Sequence, residues 1–366
     1  MRSPLHTPLC DRLGIEVPII SAGMGPIAGP DLVAAVSNAG GLGVLGCTSM
    51  APDEVRAVIR RTRELTDRPF GVDLILPARI DQGGARVADI AALIPDEHRS
   101  TAERIAARLG VGPPAADSED RMALGTDAEA QVEVILEEGV PVFVGALGSP
   151  GFVAERFRDA GATVISIVGS TKQAVAVVKD GADVVIAQGT EGGGHTGHVG
   201  TMALLPQVLD AVDVPVVAAG GIGDGRGLAA SLVMGCEAVW VGTRFLATHE
   251  AGIVGWQKAG IVAAADQSPV ISRSYTGKRF RLLPNDWTRA WEEADVEPLP
   301  MPLQPVLMGM TLGQFGTDRG GREDVSMNGA GNIAGLIDEV LPAAEVVDRM
   351  VAEAAELLGG AERLLR

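Results

Sequence analysis

Eight short runs rich in valine and isoleucine recur along the chain, and all but the last are followed by a stretch with the spacing of an amphipathic helix. These runs are apolar throughout, which is typical of strands in a parallel sheet that is covered on both faces. Eight such units favour an α/β fold of the TIM (β/α)8 barrel type, although periodicity alone leaves an open doubly wound sheet as an alternative. The predicted strands are 18–22, 43–45, 69–75, 141–144, 163–167, 183–187, 215–219 and 238–241.

Two segments interrupt this repeat. Residues 77–126 carry proline, glycine and many charges, and they predict a helical insertion after the third strand. From residue 249 to residue 366 the pattern becomes mostly helical and ends in a predicted helix over 343–365. We therefore expect a barrel domain over 1–248 and a helical extension over 249–366 that packs on the barrel and covers the mouth of the site.

The charge and cysteine content exclude several classes of function. A net charge of −17 argues against nucleic-acid binding, which needs a basic face. The three cysteines form no C-x-x-C pair, so the sequence predicts neither a disulfide framework nor a metal site and favours a reducing, cytoplasmic location. No apolar run approaches the length of a membrane span. The expected partners are therefore small molecules, and a homodimer is compatible with the sequence.

A glycine run follows the sixth predicted strand and ends in a histidine. From Gln188 the chain reads Gln188-Gly189-Thr190-Glu191-Gly192-Gly193-Gly194-His195. Glycines lack side chains, so a flat or charged ligand can approach the backbone closely, and the imidazole of His195 is suited to proton transfer. An isolated histidine is more often structural, but the strand-end position and the glycines favour a catalytic role here. His198 is a weaker candidate for substrate contact.

Two further glycine loops follow the seventh and eighth predicted strands, where TIM barrels commonly hold phosphate. The first contains Gly221 and Gly223, and the second contains Gly242 and Thr243. Glycines expose backbone N–H groups, and the following helix starts direct positive dipole ends towards an anion. These glycines could instead serve only tight turns. Arg244 either adds charge to this site or braces the loop.

The ends of the first and third strands supply further candidates. Ala22-Gly23-Met24 would let a planar ring lie against the backbone, although Met24 is equally suited to filling the core. Asp73 ends the third strand inside the barrel mouth. We expect its carboxylate to bond a ligand or neighbouring N–H groups, because an unpaired buried charge is costly.

Together these motifs resemble the flavin-dependent nitronate monooxygenases, formerly called 2-nitropropane dioxygenases, and the closely related flavin-dependent enoyl-acyl-carrier-protein reductases. The resemblance implies a TIM barrel that holds FMN without a covalent link, with His195 at the active site. It assigns the flavin ring to Ala22, Gly23, Met24, Asp73, Gln188, Gly193 and Gly194, and the phosphate to Gly221, Gly223, Gly242 and Thr243.

The sequence departs from the family pattern at three places. Asp73 stands where the family usually has asparagine, which replaces an amide donor by an acceptor and would disfavour a negatively charged reduced flavin. Gly192 replaces an alanine of the glycine run. The fifth strand, Val164-Ile165-Ser166, lacks a basic residue that is often found there.

The function expected from this resemblance is FMN-dependent oxidation of alkyl nitronates or nitroalkanes by O2 to a carbonyl compound and nitrite. The ordinary pKa of histidine, about 6.5, would let His195 act either as a base or as a cation. An NAD(P)H-dependent flavin reductase of an enoyl thioester is the alternative, and a flavin-binding module without turnover is a third. In the extension, Trp287, Trp291, Met301, Met308 and Met310 would either wall the substrate pocket or pack the extension on the barrel.

Overall fold

The computed structural model describes residues 5–76, 87–112, 128–313 and 321–361. The predicted insertion over 77–126 therefore lies partly outside the described residues. An acidic run within it, residues 117–120, lies wholly outside them. The eleven strands, numbered in chain order β1 to β11, are Ile19–Ser21, Gly43–Gly46, Phe70–Ile75, Val142–Ala146, Thr163–Val168, Val184–Gln188, Gly194–His195, Val216–Ala219, Ala238–Val241, Val270–Ser272 and Phe280–Leu282.

Eight of these strands form one parallel sheet in the order β1-β9-β8-β6-β5-β4-β3-β2. Its two end strands meet, because Ile20 forms a parallel bridge with Leu42, the residue that precedes β2. Leu42 N–H donates to the Ile19 carbonyl at 2.9 Å, and Ser21 N–H donates to the Leu42 carbonyl at 2.9 Å. The sheet thus closes on itself, which confirms the TIM barrel and excludes the open doubly wound sheet.

The helices that follow the barrel strands lie close to their predicted positions. For example, the helix after β2 spans Pro52–Leu65 and buries Val55, Ile59 and Thr62, one face at helical spacing. The α-helices, numbered α1 to α15, are Pro8–Leu13, Pro30–Asn38, Pro52–Leu65, Val87–Ala92, Asp96–Arg108, Ala128–Glu137, Ala154–Asp159, Thr171–Lys179, Thr201–Leu209, Gly225–Val233, Thr243–Leu246, Gly255–Val262, Asp286–Glu292, Leu303–Leu312 and Ala343–Gly359. Among the described helices, none combines the length and the apolar character that crossing a membrane requires.

The short helix α1, which the sequence analysis did not predict, packs against the residues inside the barrel. Leu9, Cys10 and Leu13 belong to the same buried cluster as inward-facing strand residues such as Ile186 and Val217. Because this helix precedes β1, it lies at the amino ends of the strands. A ligand can therefore enter only from the carboxyl ends, which is where TIM barrels place their active sites.

The extension is not only helical. Strands β10 and β11 pair antiparallel with each other, and β11 also pairs with β7, the segment Gly194–His195 that follows the glycine run. This small sheet is a feature that the prediction of a mostly helical tail did not include. Its strands have three residues or fewer, and the β7 and β11 partners lie far apart in sequence. No periodicity in a sequence window could have revealed it.

The tryptophans of the extension pack within a core of their own. Trp287 is fully buried, and its ring meets the ring of Trp291 edge to face with centroids 6.2 Å apart. Both belong to a buried cluster with residues of α5 and α14, including Ile105 and Met308. Neither reading holds as stated for Trp287, Trp291 and Met308, because they do not line the cavity and they pack the extension against α5 rather than on the barrel.

Candidate functional site

A cavity of about 910 Å³ lies at the carboxyl ends of the barrel strands and is lined in part by the extension. Its size is in the range of small-molecule and cofactor sites. All but one of the site residues predicted from sequence line this cavity: Ala22, Gly23, Met24, Asp73, Gln188, Gly193, Gly194, His195, Gly221, Gly242 and Thr243. The exposed His198 does not line it.

The exception is Gly223, which packs against the extension. A Cβ at Gly223 would lie 3.2 Å from Cδ1 of Ile333. The helix α10 that follows it is already capped, because Asp224 accepts from the N–H groups of Arg226 and Gly227, and Glu353 accepts from Gly225. The expectation that this helix start directs free N–H groups towards an anion is therefore wrong. The acidic side chains take those donors instead.

The glycine run serves backbone packing in addition to any ligand. A Cβ at Gly193 would lie 2.8 Å from the backbone nitrogen of Gly331, and a Cβ at Gly331 would lie 2.6 Å from the carbonyl oxygen of Glu191. Two loops that are remote in sequence thus approach each other backbone to backbone, which side chains would prevent. The glycine run therefore forms a packing contact between the barrel and the extension, a role that the sequence did not indicate.

Glu191, which the sequence analysis did not select, holds this loop in place. Its carboxylate accepts from the backbone N–H of Thr201 at 3.0 and 2.9 Å and from the Thr201 hydroxyl at 2.9 Å. Its backbone carbonyl accepts from the N–H of Asn332 at 3.0 Å. Glu191 therefore joins the glycine run to the start of α9 and to the extension. No local signal indicated this role, because Glu191 lies ten residues before the helix start that it caps.

His195 is held from both sides. Its carbonyl accepts from Nε2 of Gln188 at 2.7 Å, and its Nε2 lies 3.2 Å from Oγ1 of Thr276. Its ring meets the ring of Phe280 edge to face, with centroids 5.1 Å apart. Burial, and then the charge of Lys278, lower the pKa of His195 to about 4. The imidazole is therefore neutral at neutral pH, so the cationic role expected from its ordinary pKa is not available.

Asp73 is buried within β3, two residues before the strand ends at Ile75, and lines the cavity. Its Oδ1 has no hydrogen-bond partner among the described residues, so the expected bonds to neighbouring N–H groups are missing for this oxygen. Burial raises the pKa of Asp73 to about 8. At neutral pH the carboxyl group is mostly protonated and can donate a hydrogen bond as an asparagine amide does. The departure from the family pattern is therefore smaller than the sequence suggested.

The Asp73 carboxyl also predicts a pH-dependent stability in the cofactor-free protein. The folded state keeps this proton up to about pH 8, whereas an unfolded chain loses it near pH 3.8, so the free energy of unfolding falls as pH rises between these values. His195 acts in the opposite direction, but only below about pH 6.5. Between pH 6.5 and 8 we expect a fall of about 2 kcal/mol, at about 1.36 kcal/mol per pH unit, in urea unfolding of the wild type.

The matched variant is Asp73→Asn, which keeps the shape of the side chain and removes the titration. Its free energy of unfolding should vary over the same window by clearly less than that of the wild type. Equal slopes in the two proteins would show that Asp73 is already ionised in the folded state.

The phosphate end of the predicted site is built where the loops after β1 and β9 meet the extension. A Cβ at Gly242 would lie 3.5 Å from Cβ of Ala22 and 3.6 Å from Sδ of Met24. The Thr243 hydroxyl oxygen accepts from the N–H of Gly331 at 2.9 Å, which leaves its proton to donate. Arg244 braces the loop, because its Nη2 donates to the carbonyls of Ala247 and Glu339 at 3.0 and 2.9 Å.

Three cations that sequence reasoning did not assign also line the cavity: Arg273, Lys278 and Arg279. All three come from the segment between β10 and the start of β11. For Lys278 and Arg279 the sequence signal was the cluster Gly277-Lys278-Arg279-Phe280-Arg281, which only the fold brings to the cavity. They supply positive charge near a barrel whose fifth strand carries the uncharged Ser166, buried and with an unpartnered hydroxyl.

These residues fit a flavin mononucleotide. The loop after β9, where the Thr243 hydroxyl keeps a proton to donate, and the cavity-lining Gly221 after β8 suit a phosphate group. The unpartnered Oδ1 of Asp73 and the second amide hydrogen of Gln188 suit the polar edge of a ring. Fold and site together define a barrel enzyme with a partly buried histidine in a cavity of a size that suits a cofactor.

Comparison with known proteins gives the family. Residues 6–353 match the profile of the nitronate monooxygenase family, and the chain belongs to that family of flavoprotein oxidoreductases. This confirms the resemblance noted from the sequence motifs.

Individual relatives span more than one activity. FabK from Thermotoga maritima is 32% identical, with a TM-score of 0.79 over 98% of this chain and 99% of its own. A nitroalkane oxidase from Streptomyces ansochromogenes is 31% identical, with a TM-score of 0.79 and the same coverage. A 5-hydroxy-7a-methyl-1-oxo-octahydro-1H-indene-4-carboxyl-CoA dehydrogenase of Rhodococcus jostii is 37% identical over 80% of this chain and 69% of that protein.

Proposed function

We propose that the enzyme uses bound FMN and O2 to oxidise alkyl nitronates to a carbonyl compound and nitrite. The observation that carries this proposal is His195, a partly buried and neutral imidazole that lines the cavity. A base whose conjugate acid has a pKa of about 4 removes a proton from carbon poorly, so a substrate that arrives already deprotonated is favoured over a neutral nitroalkane. A nitronate is such a substrate. Membership of the family and the similarity to a nitroalkane oxidase support the same assignment.

FMN would supply the electron transfer, and the protein would supply position and exclusion of water. Gln188 fixes the backbone of His195, and the Thr276 hydroxyl lies at hydrogen-bond distance from its Nε2. The ring of Phe280, a residue of β11 in the small sheet, packs edge to face against the imidazole of His195. The imidazole is thereby held in one orientation, from which it can hydrogen-bond an oxygen of the substrate or accept a proton from a neutral nitroalkane.

A flavin reductase of an enoyl thioester is the second candidate. The similarity to FabK supports it, and so does the relative from Rhodococcus jostii, whose substrate is a CoA thioester. In that reaction NAD(P)H would supply the electrons, and His195 would donate a proton to the alkene as it is reduced. The depressed pKa of His195 works against this donor role as well, because the imidazolium form is scarce at neutral pH.

One anaerobic titration separates the two candidates. The flavin absorbance of the purified protein is recorded while a small alkyl nitronate, or NADH or NADPH, is added, and the released cofactor is identified by mass. Bleaching by the nitronate alone, with recovery of absorbance and release of nitrite on admission of air, is the expected result. Rapid bleaching by NADH or NADPH without response to the nitronate would overturn the proposal in favour of the reductase.

Location and assembly are proposed on narrower grounds. Cys10, Cys47 and Cys236 are all buried and free, which fits a reducing compartment such as the cytoplasm. Burial raises the pKa of Cys47 and of Cys236 to about 12, so these thiols are poor nucleophiles. A homodimer stays a prediction that sedimentation would test.

A further inference from the structure

We propose that Arg279 and Lys278 form an anion-binding site at the edge of the cavity that receives the planar, negatively charged oxygens of the substrate. This inference rests on the proposed function for the identity of the substrate, and it adds the residues that select the anionic form. Both side chains line the cavity, and both lie in the segment that leads into β11.

Arg279 differs from the nearby Arg273 and Arg281 in the hydrogen bonds of its guanidinium group. Arg281 donates to the carbonyls of Thr190 and Pro269, and Arg273 donates to the carbonyls of Gly277 and Pro298. The Nε of Arg279 is buried and has no hydrogen-bond partner among the residues that the structure describes. A buried guanidinium N–H without an acceptor is costly, so it indicates a place where a ligand supplies the acceptor.

The carboxylates in the cavity do not neutralise this charge. Across the described ranges, neither Lys278 nor Arg279 forms an ion pair. Glu191 is bonded to Thr201, and Asp180 accepts from the Ser149 hydroxyl. The high pKa of Asp73 keeps it protonated at neutral pH. Three cations line the cavity against these two bonded carboxylates and the neutral Asp73. Even in a chain with a net charge of −17, the cavity therefore presents net positive charge to a ligand.

The backbone that carries the two cations is hydrogen-bonded to the segment that contains His195. The backbone carbonyl of Arg279 accepts from the N–H of Thr196 at 3.2 Å, and the next residue, Phe280, lies opposite His195 in the antiparallel pair of β11 and β7. The charge of Lys278 is close enough to lower the pKa of His195. An anion held by these cations would therefore lie beside the imidazole.

The chemistry requires such a site. A neutral imidazole supplies no countercharge, and a nitronate that leaves water for a buried cavity needs one. The guanidinium fork matches two oxygens on one atom, as in a nitronate, a nitrate or a carboxylate, and its charge does not titrate. The site thus favours the anion over the neutral nitroalkane of the same carbon skeleton.

Nitrate is a suitable probe because it is planar, carries the same charge and is not a substrate for this oxidation. Its dissociation constant is measured by calorimetry and by perturbation of the flavin absorbance in the flavin-loaded protein. We expect Arg279→Gln to weaken nitrate binding about 10- to 100-fold, Lys278→Gln to weaken it less, and Arg279→Lys to restore part of the loss. The matched control is Arg61→Gln, which removes the same charge from the outer face of α3, where Arg61 pairs with Glu64.

The kinetic expectation is selective. With a preformed nitronate, Arg279→Gln should raise KM more than it lowers kcat, whereas its effect on a neutral nitroalkane should be small. Unchanged nitrate affinity in a folded Arg279→Gln protein that retains its flavin would overturn the anion site, even if nitronates are oxidised. Arg279-dependent nitrate binding without any nitronate turnover would keep the anion site and reject the proposed function instead.

Discussion

Replacement of His195 by asparagine is expected to lower kcat/KM for a neutral nitroalkane by about 10²-fold, the low end of the contribution of a positioned acid or base, because a base with a depressed pKa works poorly. For a preformed nitronate the loss should be clearly smaller, because no proton has to leave carbon. In the wild type, kcat/KM for the nitroalkane should rise through about pH 4 and then level off, since the base must be unprotonated. This limb should disappear in the variant.

The matched control is Thr276→Val, which removes the hydroxyl next to Nε2 of His195 and leaves the imidazole in place. It should cost less than the asparagine variant and should not abolish the limb near pH 4. The flavin content of each protein, measured by absorbance, separates catalytic loss from loss of cofactor. Wild-type turnover of the nitroalkane by a His195→Asn protein with full flavin content would remove His195 from the reaction.

Replacement of Trp287 by alanine is expected to destabilise the extension by about 3–5 kcal/mol, the range measured for large aromatic residues deleted from cores. Trp287 is fully buried and contacts Trp291, so the shortened side chain leaves a cavity that the neighbouring helices cannot fill. The same extension supplies Lys278, Arg279 and β11, which pairs with the His195 strand. Flavin affinity should therefore fall together with the free energy of unfolding.

Trp287→Phe keeps an aromatic ring at this position and should cost clearly less. Urea unfolding followed by flavin release and by circular dichroism measures both effects. If Trp287→Ala loses stability but keeps the wild-type flavin affinity, then packing of the extension does not control the cavity. If stability itself is unchanged, the assignment of Trp287 to the core of the extension fails.

Much of the barrel could be predicted because its signals are local. Each strand is a short apolar run beside its turn residues, and predicted bounds such as 238–241 coincide with the observed Ala238–Val241. The helix Pro52–Leu65 has equally local signals, since its proline start and its buried stripe are readable from consecutive residues. The same reasoning located the strand-end residues that line the cavity, because parallel strands bring their carboxyl ends together.

Other features depend on contacts between residues far apart in sequence. Closure of the barrel depends on the bridge between Ile20 and Leu42, and the pairing of His195 with Phe280 joins segments that no sequence window contains. Likewise, nothing local shows that Gly193 packs against Gly331 or that the helix start after Gly223 is capped by Glu353.

The sequence by itself determined the strand and helix pattern and a set of loop and strand residues that line the cavity, since these follow from residue type and local spacing, and the resemblance of its motifs gave the family. The tertiary structure alone decided the charge state of the site. Burial lowers the pKa of His195 and raises that of Asp73, and folding of the extension brings Lys278 and Arg279 to the same cavity. The protonation of His195 and Asp73 is governed by desolvation and, for His195, by the short distance to the charge of Lys278. Both effects exist only once the chain has folded.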